Sequence, residues 1–181
     1  MKLRIHNFIE KTSVNGPGIR FGLWVQGCNL KCPYCFNPQT HSFDGGKLYE
    51  VEDIFNKILA VNGIEGISIS GGEPFLQPKP LLELVRLIKE NTNLTILIFT
   101  GFYLSELVKR SLANKILTFV DVLIAGRYIK EKQINDYLRS SDNQQIHFLS
   151  DRYTMQNLKQ KSTEIIIDEK GNLVMSGILK I

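Results

Sequence analysis

Phe21-Gly22-Leu23-Trp24-Val25-Gln26-Gly27-Cys28-Asn29-Leu30-Lys31-Cys32-Pro33-Tyr34-Cys35 joins a short apolar run to a loop that carries all three cysteines of a 181-residue chain. An odd number of cysteines packed this tightly is not a disulfide framework. The spacing C-x3-C-x2-C reads as three thiolates converging from one loop on a metal centre. Three protein ligands on a four-iron cluster leave one iron open, which marks a reactive rather than a structural site. A structural zinc site would take a fourth ligand from His6, His41 or His147, none of which stands at a familiar spacing. An electron-transfer ferredoxin would need a fourth cysteine. Asn29, Lys31 and Pro33 interleave the three, so they are not simply buried inert thiols.

Outward from this loop, strand-like and helix-like segments alternate from about residue 20 to about residue 168. Helical spacing appears from Val51 to Val61, from Pro80 to Glu90, near Leu104 to Leu112, and more weakly from Lys130 to Leu138. Strand-like runs are Met1–His6, Phe21–Val25, Gly66–Ser70, Leu94–Phe99, Val120–Ala125, Gln145–Leu149 and Glu164–Ile167. Near-continuous Ile/Leu/Val strands separated by amphipathic helices predict an α/β fold: a partial (open) β/α barrel of about six parallel strands with outer helices. Lys170-Gly171-Asn172 is a turn signal, so the chain is expected to end in a C-terminal hairpin. The expectation is one domain, residues 1–181, with no segment of more than a few residues left over as a lid.

Composition narrows the class. No apolar run approaches the ~18 residues that a membrane span requires, and Met1–His6 lacks the apolar core of a signal peptide. A cytoplasmic protein is expected, where thiols stay reduced. The net charge of +4 is mild and scattered, so neither nucleic acid nor membrane is expected as a partner.

In parallel α/β folds the ligand site forms where strands run out into loops at their carboxyl ends. The unusual residues fall at those points: the cysteine loop after the first barrel strand, Ser70-Gly71-Gly72-Glu73-Pro74 after the second, Thr100-Gly101 after the third and Gly126-Arg127 after the fourth. Two glycines let backbone approach a ligand closely, and Glu73 offers a carboxylate suited to an ammonium group. The same loop also fits a plain β-α turn with a capping acid.

The whole constellation resembles the radical S-adenosylmethionine enzymes. Within them it resembles the small glycyl-radical-enzyme activases, most of all those of anaerobic ribonucleoside-triphosphate reductase. Those proteins carry D-G-P-G-I-R, V-Q-G-C-x3-C-x2-C-x-N-x2-T and S-G-G-E-P. Here stand Asn15-Gly16-Pro17-Gly18-Ile19-Arg20, Val25-Gln26-Gly27-Cys28, Cys35-Phe36-Asn37 with Thr40, and Ser70-Gly71-Gly72-Glu73-Pro74. Asp121–Arg127 and Arg139–Gln144 are similar to the later D-V-L-I-D-G and R-G-S-x-N-Q stretches.

The resemblance implies a [4Fe–4S] cluster on Cys28, Cys32 and Cys35, and S-adenosyl-L-methionine as cofactor. Its contacts would be Tyr34, Ser70, Gly71, Gly72, Glu73, Thr100, Arg127 and Asn143, with the Tyr34 backbone near the adenine. Asn143 fits a ribose contact or a turn cap equally. The implied partners are a glycyl-radical enzyme of the anaerobic ribonucleotide reductase type and a flavodoxin- or ferredoxin-type electron donor. A small stand-alone radical enzyme acting on a peptide or metabolite is the alternative. The chain departs from the pattern at Asn15 for the first acid, Phe36 for His, His41 for Trp and Ala125 for Asp.

Overall fold

A computed structural model describes residues 1–136, 138–158, 163–167 and 173–177. In chain order its elements are β1 (Lys2–Thr12), β2 (Arg20–Val25), β3 (Lys47–Glu50), α1 (Val51–Leu59), β4 (Gly66–Gly71), α2 (Pro78–Asn91), β5 (Thr95–Thr100), α3 (Leu104–Leu107), α4 (Ser111–Leu117), β6 (Val122–Ala125), β7 (Gln133–Asp136), β8 (Arg139–Ser141), β9 (Gln145–Phe148), β10 (Thr163–Ile167) and β11 (Leu173–Gly177).

Seven strands form one sheet in the order β3-β1-β2-β4-β5-β6-β9. Its centre, β2-β4-β5-β6, is parallel. One face of these strands is an apolar layer under the helices, Phe21, Leu23, Ile67, Ile69, Ile96 and Ile98, all buried; the other face mixes Leu97, Val122 and Ile124 with the buried polar groups Arg20 and Ser68. α1 presents Val51, Ile54 and Ile58 to this core, and Glu52 and Asp53 in its first turn suit the positive end of the helix dipole. α2 starts at Pro78, where the missing N–H costs nothing, and buries Leu81, Leu84, Val85 and Ile88. The register pairs Val25 with Gly71 and Thr100 with Ala125. The carboxyl ends of the parallel strands are therefore nearly flush, and their four exit loops leave from one rim.

Several sequence expectations change. Four strands are parallel rather than about six. β1 and β3 extend one side antiparallel, and β9 closes the other antiparallel to β6. β1 runs to Thr12, well past the expected His6. The helix expected near Leu104 to Leu112 is two short helices, α3 and α4. Among the described residues no α-helix forms between Lys130 and Leu138. A single turn of 3-10 helix, Lys130–Lys132, leads into the β7–β8 hairpin. Leu138 is buried as the helical pattern required, but against Leu97, Val122 and Ile124 from a turn between β7 and β8, and Arg139 pairs back to Asp136 at 2.7 Å. Tertiary packing overrides a weak local preference there. β10 and β11 pair antiparallel, Ile167 opposite Leu173, as the C-terminal hairpin requires. Its expected turn, Lys170-Gly171-Asn172, lies outside the described residues. Among the described residues no helix is long and apolar enough to cross a membrane.

Candidate iron–sulfur and cofactor site

The cysteine loop is held at both ends before any metal is considered. Gly27 N–H donates to the Thr40 carbonyl at 2.8 Å and Cys28 N–H to the His41 carbonyl at 3.0 Å, so the loop returns on itself. Gln26 staples this return by donating its amide to the Ser42 and Gln39 carbonyls, at 2.7 and 3.2 Å. Thr40, fully buried, closes the turn on the Asn37 carbonyl at 2.7 Å. These contacts account physically for the Gln and Thr of V-Q-G-C…N-x2-T. Lys31 and Tyr34 take positive φ, 49° and 58°, which bends the chain sharply between the cysteines.

The second loop presses on the first. Gly71 has φ of +102°, and a β-carbon there would meet the Val25 carbonyl at 2.5 Å; one at Gly72 would meet the Gly27 carbonyl at 2.4 Å. The glycine pair thus admits the cysteine loop's own backbone, joined by Gly72 N–H to Val25 O and Glu73 N–H to Gly27 O. Glu73 is 1 % exposed. Its Oε1 accepts from Phe75 N–H at 3.0 Å and Thr100 Oγ1 at 2.9 Å, and its Oε2 from Gly101 N–H at 2.8 Å. Burial pushes its pKa up to about 7 against these bonds. The capping reading of Glu73 therefore holds, while Oε2 keeps acceptor capacity beyond its one bond.

One cavity of about 390 Å³ gathers the site. Cys28, Cys32 and Cys35 line it together with Ser70, Gly71, Gly72, Glu73 and Thr100. All three thiols are free and half-buried. Burial pushes the Cys28 and Cys32 thiols up, Cys35 adding to the effect at Cys32, so binding a metal there must release protons. Among the described residues no group of three His, Cys, Asp or Glu side chains is placed to hold a metal ion. Three thiols on the wall of one cavity are the donor set that a cluster with one ligand on each of three irons requires. A larger hollow of about 590 Å³ lies at the opposite end of the strands, beside Glu65, Thr95, Arg152 and Tyr153, and holds none of these loops.

Three expected cofactor contacts stand outside the cavity wall. Tyr34 is 67 % exposed, its ring beneath Lys130 Nζ at 3.9 Å. Arg127 is exposed. Asn143 donates its amide to the Arg127 carbonyl at 2.8 Å, which is the turn-tying alternative, although its Oδ1 is buried without a partner. Sequence reasoning missed the facing aromatics Phe36 and Tyr128, ring centroids 4.6 Å apart, which both line the cavity. They lie far apart in the chain, and nothing local announces their meeting. Trp24 and Asn15 also line the cavity. Ser176 and Gly177 of β11 reach it too, which corrects the expectation that no segment is left to cover the site.

A parallel-centred α/β sheet with three thiols on one exit loop is the architecture of a protein able to hold a metal centre at its carboxyl rim. The profile of the 4Fe-4S single cluster domain matches residues 14–147, and the chain belongs to that family. It is 37 % identical over 155 residues to the anaerobic ribonucleoside-triphosphate reductase-activating protein of Vibrio cholerae, covering 80 % of this chain and 97 % of that one. It is 40 % identical over 92 residues to the pyruvate formate-lyase-activating enzyme of Clostridium pasteurianum, covering 48 % of this chain but only 39 % of the relative. A crystal structure of QueE from Escherichia coli overlaps 56 % of this chain and 53 % of its own at TM-score 0.48 and 19 % identity, a likeness too loose to build on.

Proposed function

We propose that this protein is a radical S-adenosylmethionine activase. Bound together, the [4Fe–4S] cluster and S-adenosylmethionine supply reductive cleavage of the sulfonium bond and a 5′-deoxyadenosyl radical that takes hydrogen from a glycine of a separate glycyl-radical enzyme. One observation carries this reading: the three thiols and the Ser-Gly-Gly-Glu loop line a single cavity at the carboxyl rim of four adjacent parallel strands.

In this proposal Cys28, Cys32 and Cys35 hold the cluster. Ser70, the Gly71-Gly72 backbone and Glu73 hold the cofactor's ammonium, with Thr100 fixing the Glu73 carboxylate. The backbone at Tyr34 seats the adenine, Arg127 takes the carboxylate from the rim, and the orphaned Oδ1 of Asn143 accepts from a ribose hydroxyl. Phe36, Tyr128 and Leu30 keep water from the reacting atoms. We read the central strands as part of a partial barrel and residues 1–181 as one cytoplasmic domain. The partner is of the anaerobic ribonucleotide reductase type, because the chain spans nearly all of that activating protein and well under half of the pyruvate formate-lyase one. A flavodoxin- or ferredoxin-type protein supplies the electron.

The test is to reconstitute the chain anaerobically, reduce it, and incubate it with S-adenosylmethionine and candidate glycyl-radical enzymes. Electron paramagnetic resonance is expected to show a glycyl radical on a partner, and none with Cys32→Ala. Turnover of a small metabolite by the protein alone, with no partner present, would overturn the reading.

A further inference from the structure

The geometry points to the C-terminal hairpin as a strap that occupies the place of the partner's glycine loop, an inference that rests on the activase reading. The hairpin lies outside residues 14–147, which the family profile matches. Even so, Ser176 and Gly177 line the same cavity as the three thiols. Two ties hold them there, both from the end of β1 and the residues just after it. Asn15 Nδ2 donates to Ser176 Oγ at 2.7 Å and to Thr12 Oγ1 at 2.9 Å. Ser13 donates to the Glu164 carboxylate, from Oγ at 3.1 Å and from its backbone N–H at 3.4 Å. Glu164 and Ser176 face each other across the hairpin, so the ties grip both strands at one level.

What the strap presents matters more than that it covers. Gly177 ends β11 at φ +102°, a conformation that disfavours any side chain, and it is exposed. A glycine carried on an extended strand to the cavity is the form in which a partner's target glycine must arrive. Two such segments cannot share one mouth. The partner's loop therefore enters only when the hairpin leaves, and a closed hairpin shields the cavity until then. Asn15 stands where the D-G-P-G-I-R pattern has an aspartate. Its amide donates to two hydroxyls at once, which a carboxylate cannot do.

The experiment uses the full-length, cluster-free chain. Glu164→Lys removes the acceptor of the Ser13 tie without touching the cavity, and the pair Ser13→Lys with Glu164→Lys sets two cations face to face. Hydrogen exchange over residues 163–177 reports whether the hairpin is released, and iodoacetamide alkylation of the three cysteines reports access to the cavity. Release is expected to speed alkylation roughly tenfold or more, the effect of one lost charge-assisted tie on an opening equilibrium. A released hairpin with alkylation unchanged would overturn the strap. So would a hairpin that stays protected in both variants, since it would then be a fixed wall. Neither readout needs cluster, cofactor or partner. Faster alkylation with no glycyl radical on any partner would instead sink the activase reading alone.

Discussion

Arg20 carries a full charge into the core without a carboxylate within ion-pair reach among the described residues. Its guanidinium donates instead to a set of oxygen acceptors: Nε to Ser68 Oγ at 2.8 Å, Nη1 to Thr95 Oγ1 at 3.0 Å, and Nη2 to the Ile67 and Thr95 carbonyls at 2.8 and 3.1 Å. Burial draws its pKa down, yet an arginine stays charged. Arg20→Met leaves several buried acceptors unpaired, each worth about 1–3 kcal/mol, so urea denaturation should show a loss of about 3 kcal/mol or more. Lysine is not expected to rescue it, because a single ammonium cannot span these acceptors. Glu73 acts with the opposite sign to an ordinary paired acid. Its folded pKa of about 7 lies above the unfolded 4.5, so the folded chain binds the extra proton between those values. The cluster-free protein should lose stability as pH rises from 4.5 to about 7 and level off above it. Denaturation curves across that range should show the slope in the wild type and not in Glu73→Gln.

Elements are tied by the same kind of buried polar junction. Asp121, 1 % exposed at the start of β6, accepts from Lys89 Nζ at 2.9 Å, Ile96 N–H at 2.7 Å and Ser150 Oγ at 2.6 Å. It thereby joins the end of α2, β5 and the segment after β9. Burial pushes its pKa up, but Ser150, Lys89 and Ile96 outweigh that and hold it below the usual value. Its stabilisation is present at neutral pH and is lost as pH falls through the lowered pKa. Asp121→Ala should cost about 2–3 kcal/mol at neutral pH and much less in acid, checked by denaturation at both. The parallel centre was legible in the sequence because β2, β4, β5 and β6 each hold a run with large apolar residues on the helix-covered face, Phe21 and Leu23, Ile67 and Ile69, Ile96 and Ile98, and Leu123, and each ends in an abrupt polar or glycine loop. The antiparallel edges were not. The pattern of Gln145–Phe148 says that the segment is extended, but direction depends on how the chain crosses after Arg127. The β7–β8 hairpin was hidden for a related reason: Leu138 satisfies a helical period and a hairpin alike, and only its contact with Val122 and Ile124 decides. In the site, the cysteine and glycine loops announced themselves by composition, whereas Phe36 meeting Tyr128, and Ser176 meeting Asn15, are products of the assembled fold.

At the scale of the whole molecule, the decisive feature is an aromatic rim on the stretch that carries the cysteines. Tyr34, Phe36 and Phe43 are 67 %, 38 % and 54 % exposed within a single stretch that starts among the cysteines and ends just past the loop's return. Exposed aromatics clustered at the mouth of a site are the residue types that anchor protein interfaces. Phe43 is the clearest probe among them, because it covers Gly27 from outside the cavity. It touches the cysteine loop's backbone and lines nothing that would hold cofactor. Phe43→Glu should therefore raise the KM for the partner enzyme roughly tenfold, the scale of a modest interface anchor. Cluster absorbance and partner-free cleavage of S-adenosylmethionine should stay at wild-type levels, as measured by methionine release. If the partner's KM did not move, the docking face would have to lie elsewhere on the rim, and the loops after Gly18 and Gly101 would be next to test. If partner-free cleavage fell as well, Phe43 would be supporting the cysteine loop rather than meeting a partner. The split between the two readouts is what separates recognition from chemistry under the proposed activase reading.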